Sequence, residues 1–227
     1  MKTKVLFFLL LIAYKFPTFA QNAEERSIGE FDRIDVSGHF DIYLRKGDKP
    51  SLKVEARRLD LDEIITKVNG STLRIECTRR NMRDGEKGII YITFTSLKEI
   101  DASGAGNIIG ESVISGERFE AEMSGAGNLE FEVDVQNLEL ELSGAGNIEV
   151  SGKAKDLEVS ISGAGSFRGF KLKTEDAEIR MSGVGKAEVY ASEFLDAETS
   201  GVGSIRYRGE PKKVRAKAGF LGSVKPD

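Results

Sequence analysis

Apolar and polar residues alternate along most of the chain, and from residue 98 onward the alternation recurs in blocks. In six blocks Ile100, Ala121, Leu140, Val159, Ile179 and Ala197 hold one position. Ala102, Met123, Leu142, Ile161, Met181 and Thr199 hold the position two further on. The interleaved positions are polar: Glu99, Glu120, Glu139, Glu158, Glu178 and Asp196, then Asp101, Glu122, Glu141, Ser160, Arg180 and Glu198. A side-chain period of two belongs to a strand with one buried face. The alternation resumes at Ile108, Leu129, Ile148, Phe167, Ala187 and Ile205, with Ile109, Glu130, Glu149, Arg168, Glu188 and Arg206 outward. Each block therefore predicts strand, glycine-bearing corner, strand.

The corner is Ser-Gly-x-Gly. It begins at Ser103, Ser124, Ser143, Ser162, Ser182 and Ser200, in steps of 21, 19, 19, 20 and 18 residues, and reads SGAGN three times. A worn copy, AGFLGSV, spans Ala218–Val224 with one residue inserted. One block cannot bury its apolar face alone, whereas stacked blocks share a continuous core. The fold expected is all-β: a parallel β-helix, or β-solenoid, of six to seven coils of 18–21 residues over 98–227. At about 4.8 Å per coil, six coils make a rod about 29 Å long. The corner glycines are Gly104 and Gly106, Gly125 and Gly127, Gly144 and Gly146, Gly163 and Gly165, Gly183 and Gly185, and Gly201 and Gly203. Stacked corners favour a residue with no Cβ to collide with the next coil. The residue between them (Ala105, Ala126, Ala145, Ala164, Val184, Val202) is expected to point inward and plug the corner. Asn107, Asn128 and Asn147 are placed to form a ladder of amides. A hexapeptide β-helix, a nine-residue calcium β-roll and a four-stranded propeller blade all fit this spacing less well.

Residues 27–97 lack the cadence but still read as strands: Ile34–Ser37, Phe40–Arg45, Ser51–Arg57, Thr72–Cys77 and Ile89–Thr95. Gly47-Asp48, Asn69-Gly70 and Asp84-Gly85 are turn signals, and Leu59–Lys67 has room for one helical turn. Residues 21–97 are read as a β-rich capping part that covers the otherwise unpaired strand edge of the solenoid. In a second alignment VSGHFDIYL matches LSGAGNIEV and forms a first coil.

Residues 1–20 read as a signal peptide. Lys2 and Lys4 precede an apolar core, VLFFLLLIAY, too short to span a bilayer comfortably, and Thr18-Phe19-Ala20 offers a cleavage site. No Cys follows that core to carry a lipid anchor. Losing the leader's three lysines takes the formal charge from −4 to −7. That balance disfavours nucleic acid and anionic lipid as partners. No later segment is apolar for long enough to span a membrane, so the mature chain is expected in the periplasm, on the outer surface or secreted. Cys77 is the single cysteine, which leaves no intramolecular disulfide and no cysteine zinc site; it is read as a small apolar residue on a buried face. His39 is the single histidine, read as marking a turn, so no two-histidine metal site exists.

The lead FDRIDVSGHFDIYLRKG, then LKEIDASGAGNI, then the recurring SGAGN and SGVGS corners together resemble the auto-transporter adhesin head GIN domain family, over about residues 28–225. That resemblance implies an exported protein of the Bacteroidetes type, a β-helical fold and an adhesin role. It supplies no catalytic motif, so no functional residue is carried over. The closing LGSVKPD shows no barrel segment or anchoring motif, and the auto-transporter half of the family name is not expected to apply.

The column Glu99, Glu120, Glu139, Glu158, Glu178 and Asp196 is the main chemical feature. Like charges about 5 Å apart repel by roughly 1–3 kcal/mol near a protein surface. The column reads as a solvated face or as a binding face for a basic partner. A straight ladder offers calcium two or three oxygens where it wants six to eight, so no metal is expected. No cofactor and no catalytic residue are assigned. Three classes remain: a non-enzymatic adhesin or binding module facing a glycan or protein partner, a structural or self-assembling envelope component in which oligomers form, and a carbohydrate-active β-helix enzyme. Minimal loops and the absence of Trp argue against the enzyme.

Overall fold

The computed structural model describes residues 22–79 and 85–227. Residues 1–20, read above as a signal peptide, lie outside the described residues. Fifteen strands make one open sheet: β1 (Asn22–Arg26), β2 (Arg33–Lys46), β3 (Ser51–Arg57), β4 (Ile64–Asn69), β5 (Thr72–Cys77), β6 (Lys87–Phe94), β7 (Glu99–Gly110), β8 (Ile114–Arg168), β9 (Leu172–Lys173), β10 (Asp176–Met181), β11 (Val184–Tyr190), β12 (Phe194–Thr199), β13 (Val202–Arg208), β14 (Lys213–Ala218) and β15 (Ser223–Pro226). There is no α-helix among the described residues. The helical turn expected within Leu59–Lys67 is a single 3₁₀ turn, Leu61–Glu63, and Ile64 onward joins β4.

Successive repeats pair in parallel and in register. β7 meets β8 with Ser103 opposite Ser124, Gly104 opposite Gly125 and Asn107 opposite Asn128. β10 aligns Glu178 with Glu158 and with Asp196, and β11 aligns Gly185 with Gly165 and with Gly203. β2 also belongs to this series, with Ser37 opposite Ser103 and Gly38 opposite Gly104. His39 therefore sits within a strand, opposite Ala105, rather than in a turn. Behind β2 lie β5 and β6, both parallel to it. Beyond them β3 and β1 run antiparallel, with β1 at the sheet's edge.

All three inward columns read from the sequence are buried, from Ile100 in the first repeat to Ile205 in the last. Each fully buried Leu, Ile or Phe contributes about 1.5–3 kcal/mol relative to exposure. Thr199 closes one of these otherwise apolar columns, and its buried hydroxyl has no hydrogen-bond partner among the described residues. Cys77 is half-buried against the core rather than enclosed in it.

The corners depart from expectation in one respect. Alternation runs unbroken through Met123–Leu129, so the glycines take the inward parity and Ser124, Ala126 and Asn128 are exposed. Ala145, Ala164, Val184 and Val202 likewise face solvent and plug nothing. The glycines are required by backbone approach instead. A Cβ on Gly144 would stand 2.1 Å from the carbonyl oxygen of Gly125, and one on Gly127 1.8 Å from that of Gly106. Gly144 also has φ +153°, which L side chains rarely adopt.

Asn147 Nδ2 donates to Asn128 Oδ1 at 2.8 Å, and Asn128 Nδ2 to Asn107 Oδ1 at 2.8 Å. Asn107 Nδ2 donates in turn to Asp41 Oδ1 at 3.1 Å, and Asp41 is ion-paired with Lys87. The amides thus form one row with a single direction that ends on a carboxylate.

Two substitutions test this packing. Gly144→Val is expected to cost about 3 kcal/mol or more, a fall in Tm of roughly 6–12 °C, while Glu141→Ala stays within about 0.5 kcal/mol. Thr199→Val, which removes the unpartnered hydroxyl, is expected to raise stability by about 1 kcal/mol in denaturant titrations.

Candidate functional site

The acidic column is a consequence of register. Because β7, β8, β10 and β12 pair residue for residue, outward positions of equal parity stack: Glu99 stands opposite Glu120, and Glu178 opposite both Glu158 and Asp196, while Glu139 shares Arg118 with Glu120. The column is not six free charges. Arg33 pairs with Glu99 at 3.2 Å at one end, and Arg215 with Asp196 at 3.8 Å at the other. Arg118 reaches both Glu120 (3.2 Å) and Glu139 (2.6 Å), and Arg180 pairs with Glu178. Glu158 alone in the column has no ion-pair partner among the described residues. These exposed pairs contribute little to stability, about 0–1 kcal/mol each.

Two residues along the strand, Asp35, Asp101 and Glu122 stack in register in a second acidic column that also includes Glu141. Burial, then the Asp35 charge, raises the Asp101 pKa. Burial raises that of Glu122, reinforced by Asp101, Glu141, Glu120 and Glu99. Glu139 is raised by burial and then by Glu120, with Arg118 acting in the opposite sense.

Two residues in the other direction lies a third outward column, Arg118, Asn137, Asp156, Asp176 and Phe194, which sequence reasoning did not single out. Asp176 is in register with both Asp156 and Phe194. Between this column and the first runs an open trough of about 300 Å³. Glu139, Glu158 and Glu178 form one wall, Asp156 and Asp176 the other, and Leu138, Leu157 and Ala177 the floor. Arg118 stands at one end and Phe194 at the other. The missing signal was available: from Ser124 on, six residues before each Ser is the same outward parity.

The chemistry is that of a cation-attracting surface. No group of three or more His, Cys, Asp or Glu able to hold a metal ion is found among the described residues. His39 lies six residues further along its strand than the acidic column, at the corner position. No described helix is long and apolar enough to cross a membrane.

The raised carboxyls set a pH dependence. A folded pKa above the unfolded one means that the folded state binds protons more readily, so stability falls as pH rises from the unfolded pKa through the folded one. The penalty is complete above the folded pKa and absent below the unfolded value, about 4.3 for Glu. Glu122→Gln is therefore expected to raise Tm at pH 7.5 by about 1–2 °C, with the difference closing below about pH 4. Thermal melts of both proteins across that range check it.

Fourteen chains of known structure match this fold. One, described as a putative adhesin from Bacteroides fragilis, is 25% identical with a TM-score of 0.88; the match covers 93% of this chain and 99% of that one. Another, described as a putative lipid binding protein from Parabacteroides distasonis, is 25% identical with a TM-score of 0.69, covering 92% and 98%. A putative adhesin from Parabacteroides merdae, 20% identical with a TM-score of 0.74 and covering 92% and 97%, shares the fold. No curated protein matches the chain. The family model described as "Putative auto-transporter adhesin, head GIN domain" matches residues 30–211, and the chain belongs to that family.

Proposed function

We propose that the chain is an exported, non-enzymatic binding module in which the repeats wind as a β-solenoid and the acidic trough receives a basic segment of a protein partner. Parallel, in-register pairing of successive repeats supports the solenoid. The antiparallel strands β1 and β3, at the far side of β6, support the reading of the leading residues as a cap. The leader pattern and the adhesin-like family support export. Family and neighbours are described as adhesins or a lipid-binding protein rather than enzymes, which supports a binding role.

The observation that bears most on the partner is the pair of carboxylate walls facing across one trough, with Glu158 unpaired among the described residues. Such a surface attracts Lys and Arg and focuses the field between low-dielectric walls. A neutral glycan is a poorer fit. Sugars stack on open aromatic faces, the chain has no Trp, and Phe194 already lies beneath Lys213 and Arg215 at 5.5 and 5.4 Å.

Titration of a lysine-rich octapeptide tests the trough. Glu158→Gln/Asp176→Asn is expected to weaken binding about fivefold or more at low salt, whereas Glu99→Gln, outside the trough, leaves it within about twofold. Equal affinities for all three proteins would overturn the assignment.

A further inference from the structure

Net charge conceals a second surface at the opposite pole of the electrostatics. From Lys212 onward the chain carries Lys212, Lys213, Arg215, Lys217 and Lys225 against Asp227 alone, a formal +4 at the end of an otherwise acidic sheet. Within this stretch β14 and β15 are joined by the turn Gly219–Gly222, closed by Gly222 N–H donating to the Gly219 carbonyl at 3.0 Å. The two central positions of such a turn normally hold Gly, Asn, Asp, Ser or Pro. Here they hold Phe220 and Leu221, which are 101% and 64% exposed.

The turn extends a row already apolar. Val184 and Val202 are in register at the preceding corners, 58% and 49% exposed. Gly222 lies against Gly201 and Thr199, which puts Leu221 and Phe220 next in that row. Cations flank it on both sides. Lys186 follows Val184 by two residues on the same outward parity, and Lys225 lies opposite Arg206. Lys217 stands on the other side, held by Glu198 at 2.6 Å. Lys186 and Lys225 have no ion-pair partner among the described residues. Three nearby carboxylates are occupied, Asp196 by Arg215, Glu198 by Lys217, and Asp227 by Arg206 and Arg208, whereas Glu188, in register with Arg206, has no ion-pair partner among the described residues.

From this arrangement we infer that the Phe220-Leu221 turn is a membrane-docking tip that inserts into the interface of an anionic lipid surface. A fully exposed aromatic side chain and a largely exposed aliphatic one bury their area among headgroups and acyl chains, and the flanking cations are drawn to the lipid charge. A second copy of the chain is a poor occupant, because apposing two such rows brings like charges together. Nucleic acid offers the cations a match but gives the apolar apex nothing to enter.

Because the sequence contains no Trp, Phe220→Trp places a sole tryptophan at the apex. The chain is expressed with its own leader, purified after export and mixed with vesicles of about two parts phosphatidylcholine to one part phosphatidylglycerol, with brominated acyl chains. Quenched, blue-shifted emission is expected, with binding at least about tenfold weaker on pure phosphatidylcholine and weakening as salt rises. Adding Val202→Ser/Leu221→Ser to the reporter is expected to reduce partition about tenfold, and adding Lys186→Gln/Lys225→Gln several-fold. All these positions are exposed, so unchanged Tm values are expected to accompany the losses. The inference falls if the emission is not quenched by anionic vesicles, or if neutral vesicles quench equally. It also falls if the blue shift grows with protein concentration in the absence of lipid, which would make a second copy the occupant.

Discussion

Close approach of backbone to backbone at the glycine corners is the constraint on which the rest of this structure depends. A β-carbon at most of these glycines would meet the carbonyl of the preceding repeat at about 2 Å, well inside any permitted contact. With the corners held that close, both flanking strands must pair in register, since a slip of one residue would turn every inward side chain outward. Buried columns and charged columns are therefore one fact seen from two sides of the sheet.

Register makes the electrostatics cumulative. A carboxylate that would be unremarkable once becomes, when stacked, part of a column in which burial first and the neighbouring carboxylates second raise the pKa of Glu122 and Glu139. The fold manages the cost locally rather than by alternating sign along the column. Arginines close its two ends, and Arg118 bridges two of its interior members. What remains is a graded surface, with a carboxylate-walled trough along the flank and a basic final rung. Segregation of that kind is invisible in a total charge of −4.

Much of this was legible in the sequence, because period-two alternation is a property of the backbone and survives any detail of packing. The inward columns, the amide row and the first acidic column all follow from aligning blocks on Ser-Gly-x-Gly. The orientation of Ala126 or Val184 was misread for an instructive reason: a glycine pair suggests a turn that resets parity, whereas parity continues through the corner. Asp156 and Asp176 escaped notice because a trough needs two outward columns and the buried one between them. The exposure of Phe220 and Leu221 was hidden because an inserted residue blurred the last repeat.

The amide row has one more consequence. Every carboxamide from Asn147 to Asn107 donates back toward the amino-terminal side, and the series is anchored on Asp41, the partner of Lys87. Polarised in one sense, such a series strengthens from its charged origin outward, so each arriving amide finds its acceptor already oriented. The row is thereby directional, with its template end on β2 and its far end at Asn147.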